Sequence, residues 1–144
     1  MKTLYIIAFL FLGGSIIAQQ NPDELLASND LNTGKAQQTI LASQFEQMEV
    51  HNLNGIYKLT DEKGMLKEVR AFENGKLDGT WLQYDENQNL IAIANYKNDQ
   101  KHGKWVIWDP SGIKRYELFY DNGKRTGTWS SWNESGELVS TKTY

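Results

Sequence analysis

With 144 residues, a net charge of −3 and no cysteine, the chain has room for one domain or a short repeat array. The missing cysteines exclude disulfides and a cysteine-linked lipid anchor, so stability has to come from packing and strand pairing. The basic pairs Lys114-Arg115 and Lys124-Arg125 form no dense stripe, and nucleic acid is not an expected partner.

Residues 1–18 open with Lys2, continue with an apolar run from Leu4 to Leu12 and exit through Gly13, Gly14 and Ser15 to Ala18. A basic start, an apolar middle and small residues at the exit predict a secretory signal peptide cleaved after Ala18. The apolar run is shorter than the roughly 20 residues a spanning helix needs. The expected localisation is therefore exported: periplasmic, outer-surface or secreted. Loss of Lys2 with the leader makes the remaining chain one unit more negative.

Residues 19–54 read as a linker and a cap. Asn21-Pro22-Asp23-Glu24 suits a brief helix start, and Ser28 to Gly34 is polar. Ala36 to Met48 is rich in Ala, Gln and Glu, with Leu41, Phe45 and Met48 at helical spacing, which predicts a short amphipathic helix that caps the first hairpin. The competing reading is a strand at Thr39-Ile40-Leu41 that pairs with the next segment.

Residues 55–144 are periodic. Gly55, Gly79, Gly103 and Gly127 stand 24 residues apart. Two places after each comes Tyr57, Trp81, Trp105 or Trp129; five places after comes Thr60, Tyr84, Trp108 or Trp132; seventeen places after comes Phe72, Tyr96, Tyr120 or Tyr144. A further glycine recurs as Gly64, Gly112 and Gly136, with Gln88 as the exception. Asn-Gly recurs at Asn74-Gly75 and Asn122-Gly123, with Asn98-Asp99 between. Each unit reads as a short aromatic strand, a turn-rich segment and a second strand that runs into a type I′ turn. The prediction is a mainly β fold: an elongated, twisted antiparallel meander of about four 24-residue hairpins, with units starting at 55, 79, 103 and 127. The strand ending at Tyr144 is then an open edge, and a homodimer through an edge strand is one expectation.

The pattern Asn-Gly-Lys-x-x-Gly-Thr-Trp-x-x-Tyr/Trp resembles the MORN repeat in its bacterial variant form, as found in YwqK-family antitoxins. The lead unit fits least, with Tyr57 and Thr60 in the aromatic places. The resemblance implies a non-enzymatic array used for protein contacts and dimerisation, with lipid contact in some members. Lipid contact is not otherwise indicated by these residues.

No catalytic residues are expected, and no cofactor or metal. His51 and His102 are far apart in sequence, and His102 reads as a solvated turn residue. Asp85-x-Asn87-x-Asn89 opens like a calcium loop, but Leu90 and Tyr96 occupy the places of its Gly and bidentate Glu. Asp85 and Asp109 recur in register, with Asp61 read one place out of step, and serve as turn residues that accept backbone N–H bonds.

The aromatics are the candidate functional residues. Trp81, Trp105 and Trp129 should form a packing row repeating at roughly 9–10 Å. Tyr84, Trp108 and Trp132 have opposite parity and are the candidate binding surface. A protein partner is the first expectation. Polysaccharide is the second, since Gly-x-Trp repeats with aromatic ladders are also similar to cell-wall-binding modules. Aligned exposed rings would favour sugar, and a mixed apolar patch with charged rims would favour protein.

Overall fold

The computed structural model describes residues 35–144, so the expected signal peptide, helix start near Asn21 and polar linker lie outside the described residues. Strand β1 (Gln37–Leu41) leads directly into helix α1 (Ala42–Phe45), and a 3₁₀ turn (Val50–Asn52) follows. The repeats are β2 (Gly55–Thr60) and β3 (Leu66–Glu73), then β4 (Lys76–Leu77), β5 (Gly79–Tyr84) and β6 (Leu90–Lys97), then β7 (Gln100–Lys101), β8 (Gly103–Trp108) and β9 (Lys114–Asp121), then β10 (Lys124–Trp132) and β11 (Leu138–Thr143). These strands form a single sheet in the order β1-β2-β3-β5-β6-β8-β9-β10-β11, with β4 on β3 and β7 on β6. From β2 onward every pairing is antiparallel and follows sequence order, as expected for a meander.

The predicted helix over Ala36 to Met48 is corrected. Only Ala42–Phe45 is helical, and Gln37–Leu41 pairs in parallel with β2, from Gln37 on Ile56 to Leu41 on Thr60. The β-branched Thr39 and Ile40 are indifferent helix formers. The outer edge of β2 meanwhile offers a row of main-chain donors and acceptors, and Ile56 N–H donates to Ala36 C=O at 2.8 Å. Tertiary pairing outweighs the local helical spacing.

Each first strand ends in a turn closed by one polar side group. Asp61 Oδ1 accepts Lys63 N–H and Met65 N–H, both at 2.9 Å. Asp85 Oδ1 accepts Asn87 and Asn89 N–H, and Asp109 Oδ1 accepts Ser111 and Ile113 N–H. Asn133 does the same for Ser135 and Glu137. Asp61 is thus in step with the others, which corrects its reading from sequence. At the opposite end, Asn74-Gly75, Asn98-Asp99 and Asn122-Gly123 all have positive φ, as a type I′ turn requires. These turns are stitched along the array: Gly75, Asp99 and Gly123 N–H donate to the carbonyls of Leu53, Leu77 and Lys101 at 2.8–2.9 Å.

Side chains alternate between two faces of the sheet. On the back face, Ile56, Val69, Ala71, Leu82, Tyr84 and Leu90 form a buried cluster. On the front face, α1 covers the first unit: Phe45 packs at 5.6 Å from Tyr57 and 5.8 Å from Phe72, with Leu53 and Leu59 completing the cluster. Among the described residues nothing equivalent covers the later units, and burial falls along the array until every residue of β11 is exposed.

Candidate functional site

On the front face, Trp81, Tyr96, Trp105, Tyr120, Trp129 and Tyr144 form one unbroken ladder. Consecutive ring centroids are 5.9, 5.2, 5.4, 5.1 and 5.0 Å apart. The strand pairing explains it. Each Trp on a first strand shares a face with the tyrosines of the second strands on either side, so the seventeenth-position row interleaves with the second-position row. Sequence spacing alone places the tryptophans 9–10 Å apart and does not reveal the rings between them.

The indoles are held at both ends. Trp105 Nε1 donates to Asn95 C=O and Trp129 Nε1 to Phe119 C=O, each at 2.9 Å, so both make the same bond one repeat apart. Trp81 Nε1 donates instead to Glu68 Oε2 at 2.9 Å. Cations lie over the rings. Lys101 Nζ is 4.6 Å from Trp105 and 5.1 Å from Tyr120, while the Arg125 guanidinium is 4.7 Å from Trp129 and 5.4 Å from Tyr144. Lys142 lies over Tyr144 at 4.9 Å. In the first unit Leu77 holds the place that Lys101 and Arg125 take later, and it packs against the cluster under α1. Where the helix covers the ladder the position is apolar; where the ladder is open it is cationic. Burial raises the Tyr96 hydroxyl above its ordinary range, partly countered by Arg70.

The back face carries the fifth-position row. Tyr84 is only 7 % exposed and belongs to the buried cluster, so it offers no binding surface, which corrects its place among the candidate residues. Trp108 is half-buried and packs against the same cluster. Trp132 is half-buried, with Lys114 Nζ 4.0 Å from its ring. Trp108 and Trp132 line a half-open slot of about 420 Å³ together with Gly112, Ile113, Lys114, Ser135 and Gly136. Beside it, Glu117 is held by Lys104 at 3.0 Å and Lys114 at 3.1 Å. Burial raises the carboxyl of Glu117, and the two lysines outweigh that, leaving it below the ordinary carboxylate range.

Among the described residues no group of three His, Cys, Asp or Glu is arranged to hold a metal ion, and no helix is long and apolar enough to cross a membrane. His102 is a structural turn residue. Asn122 N–H points to its Nδ1 at 3.5 Å, and the equivalent residues Asn54 and Asp78 accept the N–H of Asn74 and Asn98 at 2.8 and 3.2 Å.

The family model of the MORN repeat variant matches residues 77–98, 101–124 and 125–144. These are three consecutive units of the array, and the divergent lead unit lies outside them. MORN repeats are in general non-catalytic modules of protein or membrane interaction. No curated protein and no solved structure matches the sequence.

Proposed function

We propose that the protein is an exported, non-enzymatic MORN-like module, of the YwqK-like kind, that binds a protein partner at the cell envelope or outside the cell through the front aromatic ladder. The observation that carries this reading is the contrast along one face. Over the first unit α1 buries Tyr57 and Phe72 beneath apolar side chains, whereas from Trp81 to Tyr144 the rings stay half-buried or exposed beneath Lys101, Arg125 and Lys142. An apolar strip with cations along it favours a partner that brings aliphatic side chains and carboxylates together.

Export rests on the apolar leader ahead of Ala18 and predicts that the protein fractionates outside the cytoplasm. Polysaccharide binding is less favoured by the geometry. Successive rings from Tyr96 to Tyr144 are tilted by 58–59° and several carry a cation on the face, so they do not present the aligned, open faces on which sugar rings stack.

The test is a pull-down with the purified protein against envelope proteins and, separately, protein-free wall polysaccharide. A single saturable protein, released when Lys101 and Arg125 are both replaced by Glu, supports the reading. Retention on polysaccharide with no protein captured would refute it.

A further inference from the structure

Gln88 breaks the glycine row of Gly64, Gly112 and Gly136, and its side chain shows why the exception matters. Its carboxamide accepts the N–H of Leu66 and donates to the C=O of Leu66, both at 3.0 Å. A planar amide thus fills the gap between two successive turns of the array by a two-point contact with the backbone of one residue.

The same gap recurs between the last two turns without its occupant. Lys114 stands 22 residues before Gly136, as Leu66 stands 22 before Gln88. Leu66 pairs with Thr60 just past a register shift, and Lys114 pairs with Trp108 just past the equivalent one. Pairing toward the next unit stops at Glu68 on Gln83 in one case and at Tyr116 on Ser131, two repeats later, in the other. Neither Leu66 nor Lys114 therefore has a strand partner on that side. In the middle gap, Trp108 packs against the cluster that contains Tyr84 and Leu90. In the last gap Lys114 replaces the leucine and Gly136 the glutamine, and the open space is the slot of about 420 Å³ between Trp108 and Trp132.

We infer that this slot takes the carboxamide of a glutamine or asparagine presented by a partner polypeptide, bonded to the backbone of Lys114 as Gln88 is bonded to Leu66, with Trp108 and Trp132 as its walls. The inference rests on the protein-partner reading above and adds the chemistry of one contact. A carboxamide brings a donor and an acceptor in one plane, which is what the N–H and C=O of a single residue require. A carboxylate has two acceptors and no donor, so the backbone C=O would be left facing an anion. Beside two half-buried indoles, leaving either backbone group unmatched costs more than it does in open water.

The test uses the purified protein and the indole N–H signals of its tryptophans in two-dimensional NMR spectra. The probes are acetyl-Ala-Gln-Ala-N-methylamide, whose end groups carry no primary carboxamide, the same peptide with Glu or Ala in the middle, and N-acetylglucosamine. The expected result is a saturable shift of the Trp108 and Trp132 signals, with Trp81, Trp105 and Trp129 unmoved, at least about tenfold tighter for the Gln peptide than for the other two peptides. Gly136→Gln should abolish it by supplying the carboxamide internally. Gly136 has φ +77 where Gln88 has φ 64, and an added Cβ would lie 3.7 Å from Ile113 Cγ2, so the variant fits the existing backbone.

Equal shifts with all three peptides, no shift with the Gln peptide, or a shift that persists in Gly136→Gln would overturn the inference. A response to N-acetylglucosamine alone would also overturn it and assign the slot to an acetamido sugar. A protein partner captured equally well by Gly136→Gln would remove the slot from the interface and leave the proposed function standing. The peptide titration judges the slot even if no partner is captured.

Discussion

Gln88 and Leu66 lie in different repeats, yet the carboxamide of one closes two hydrogen bonds of 3.0 Å on the backbone of the other. Gln88 also carries a φ of 64, an unfavourable conformation for a residue with a Cβ, so those bonds offset a local strain. Gln88→Ala keeps the strain and loses both bonds, and is expected to destabilise the protein by about 1–3 kcal/mol. Gln88→Gly relieves the strain and should cost less. Denaturant midpoints of the two variants against wild type check this, and an unchanged midpoint for Gln88→Ala would show that the bridge contributes nothing.

Gly75 and Gly123 occupy equivalent turns with φ of +77 and +81, so replacing either by Ala costs the same backbone strain, about 1–2 kcal/mol. Their surroundings differ. A Cβ at Gly75 would approach the His51 carbonyl carbon and oxygen to 2.7 Å, whereas nothing lies within 4 Å of one at Gly123. Gly75→Ala should therefore lower the melting temperature well beyond Gly123→Ala, because the 3₁₀ segment behind it has to move. Equal effects would mean that the segment before the repeats yields at little cost.

The contrast between these two glycines also marks what could be read without coordinates. The hairpin period was legible because Asn-Gly turns and the capping residues Asp85 and Asp109 act within a few residues of themselves. The strand at Gln37–Leu41 was not settled, because it depends on the free edge of β2, which local spacing does not encode. Tyr84 looks like Trp108 and Trp132 in sequence, and only the packing of Ile56, Val69 and Leu82 around it removes it from the surface. The slot announced itself in the wrong guise: Gln88 appeared as a defect in a glycine row, and its meaning lies in a bond to a residue 22 places away.

Trp105 sits mid-ladder, touching Tyr96 at 5.2 Å and Tyr120 at 5.4 Å, and its indole N–H is spent on Asn95. Trp105→Ala removes two ring contacts and leaves that carbonyl exposed to water. For a half-buried ring the expected loss is about 2–3 kcal/mol, below the cost of truncating a fully buried one. Because stability in such an array is passed between neighbours, the loss should extend to both adjoining units. Hydrogen exchange should quicken in β6 and β10 as well as in β8 and β9. Exchange changes confined to β8 and β9 would show that the units are energetically independent.

Acid should weaken the array through its turns. Asp61 is lowered by the N–H of Met65 first, then by Lys63 and nearby lysines, against a desolvation cost. In Asp85 burial raises the carboxyl, and hydrogen bonds from the carboxamide and the backbone N–H of Asn89 outweigh it; in Asp109 the Ser111 hydroxyl lowers it most. Glu117 is lowered between Lys104 and Lys114. All four are depressed in the folded state, so each stabilises the fold above its unfolded value, and the contribution is lost as pH falls through the folded value. Melting temperature should thus hold near neutrality and drop below about pH 4, where ordinary carboxylates begin to protonate. Asn133 performs the same turn closure with a group that does not titrate there, through bonds of 2.9 and 3.0 Å. Asp85→Asn should then copy that turn, nearly matching wild type at neutral pH and losing less on acidification. A melting temperature that stays level down to pH 3 would show that these carboxylates are as well solvated in the folded state as in the unfolded one.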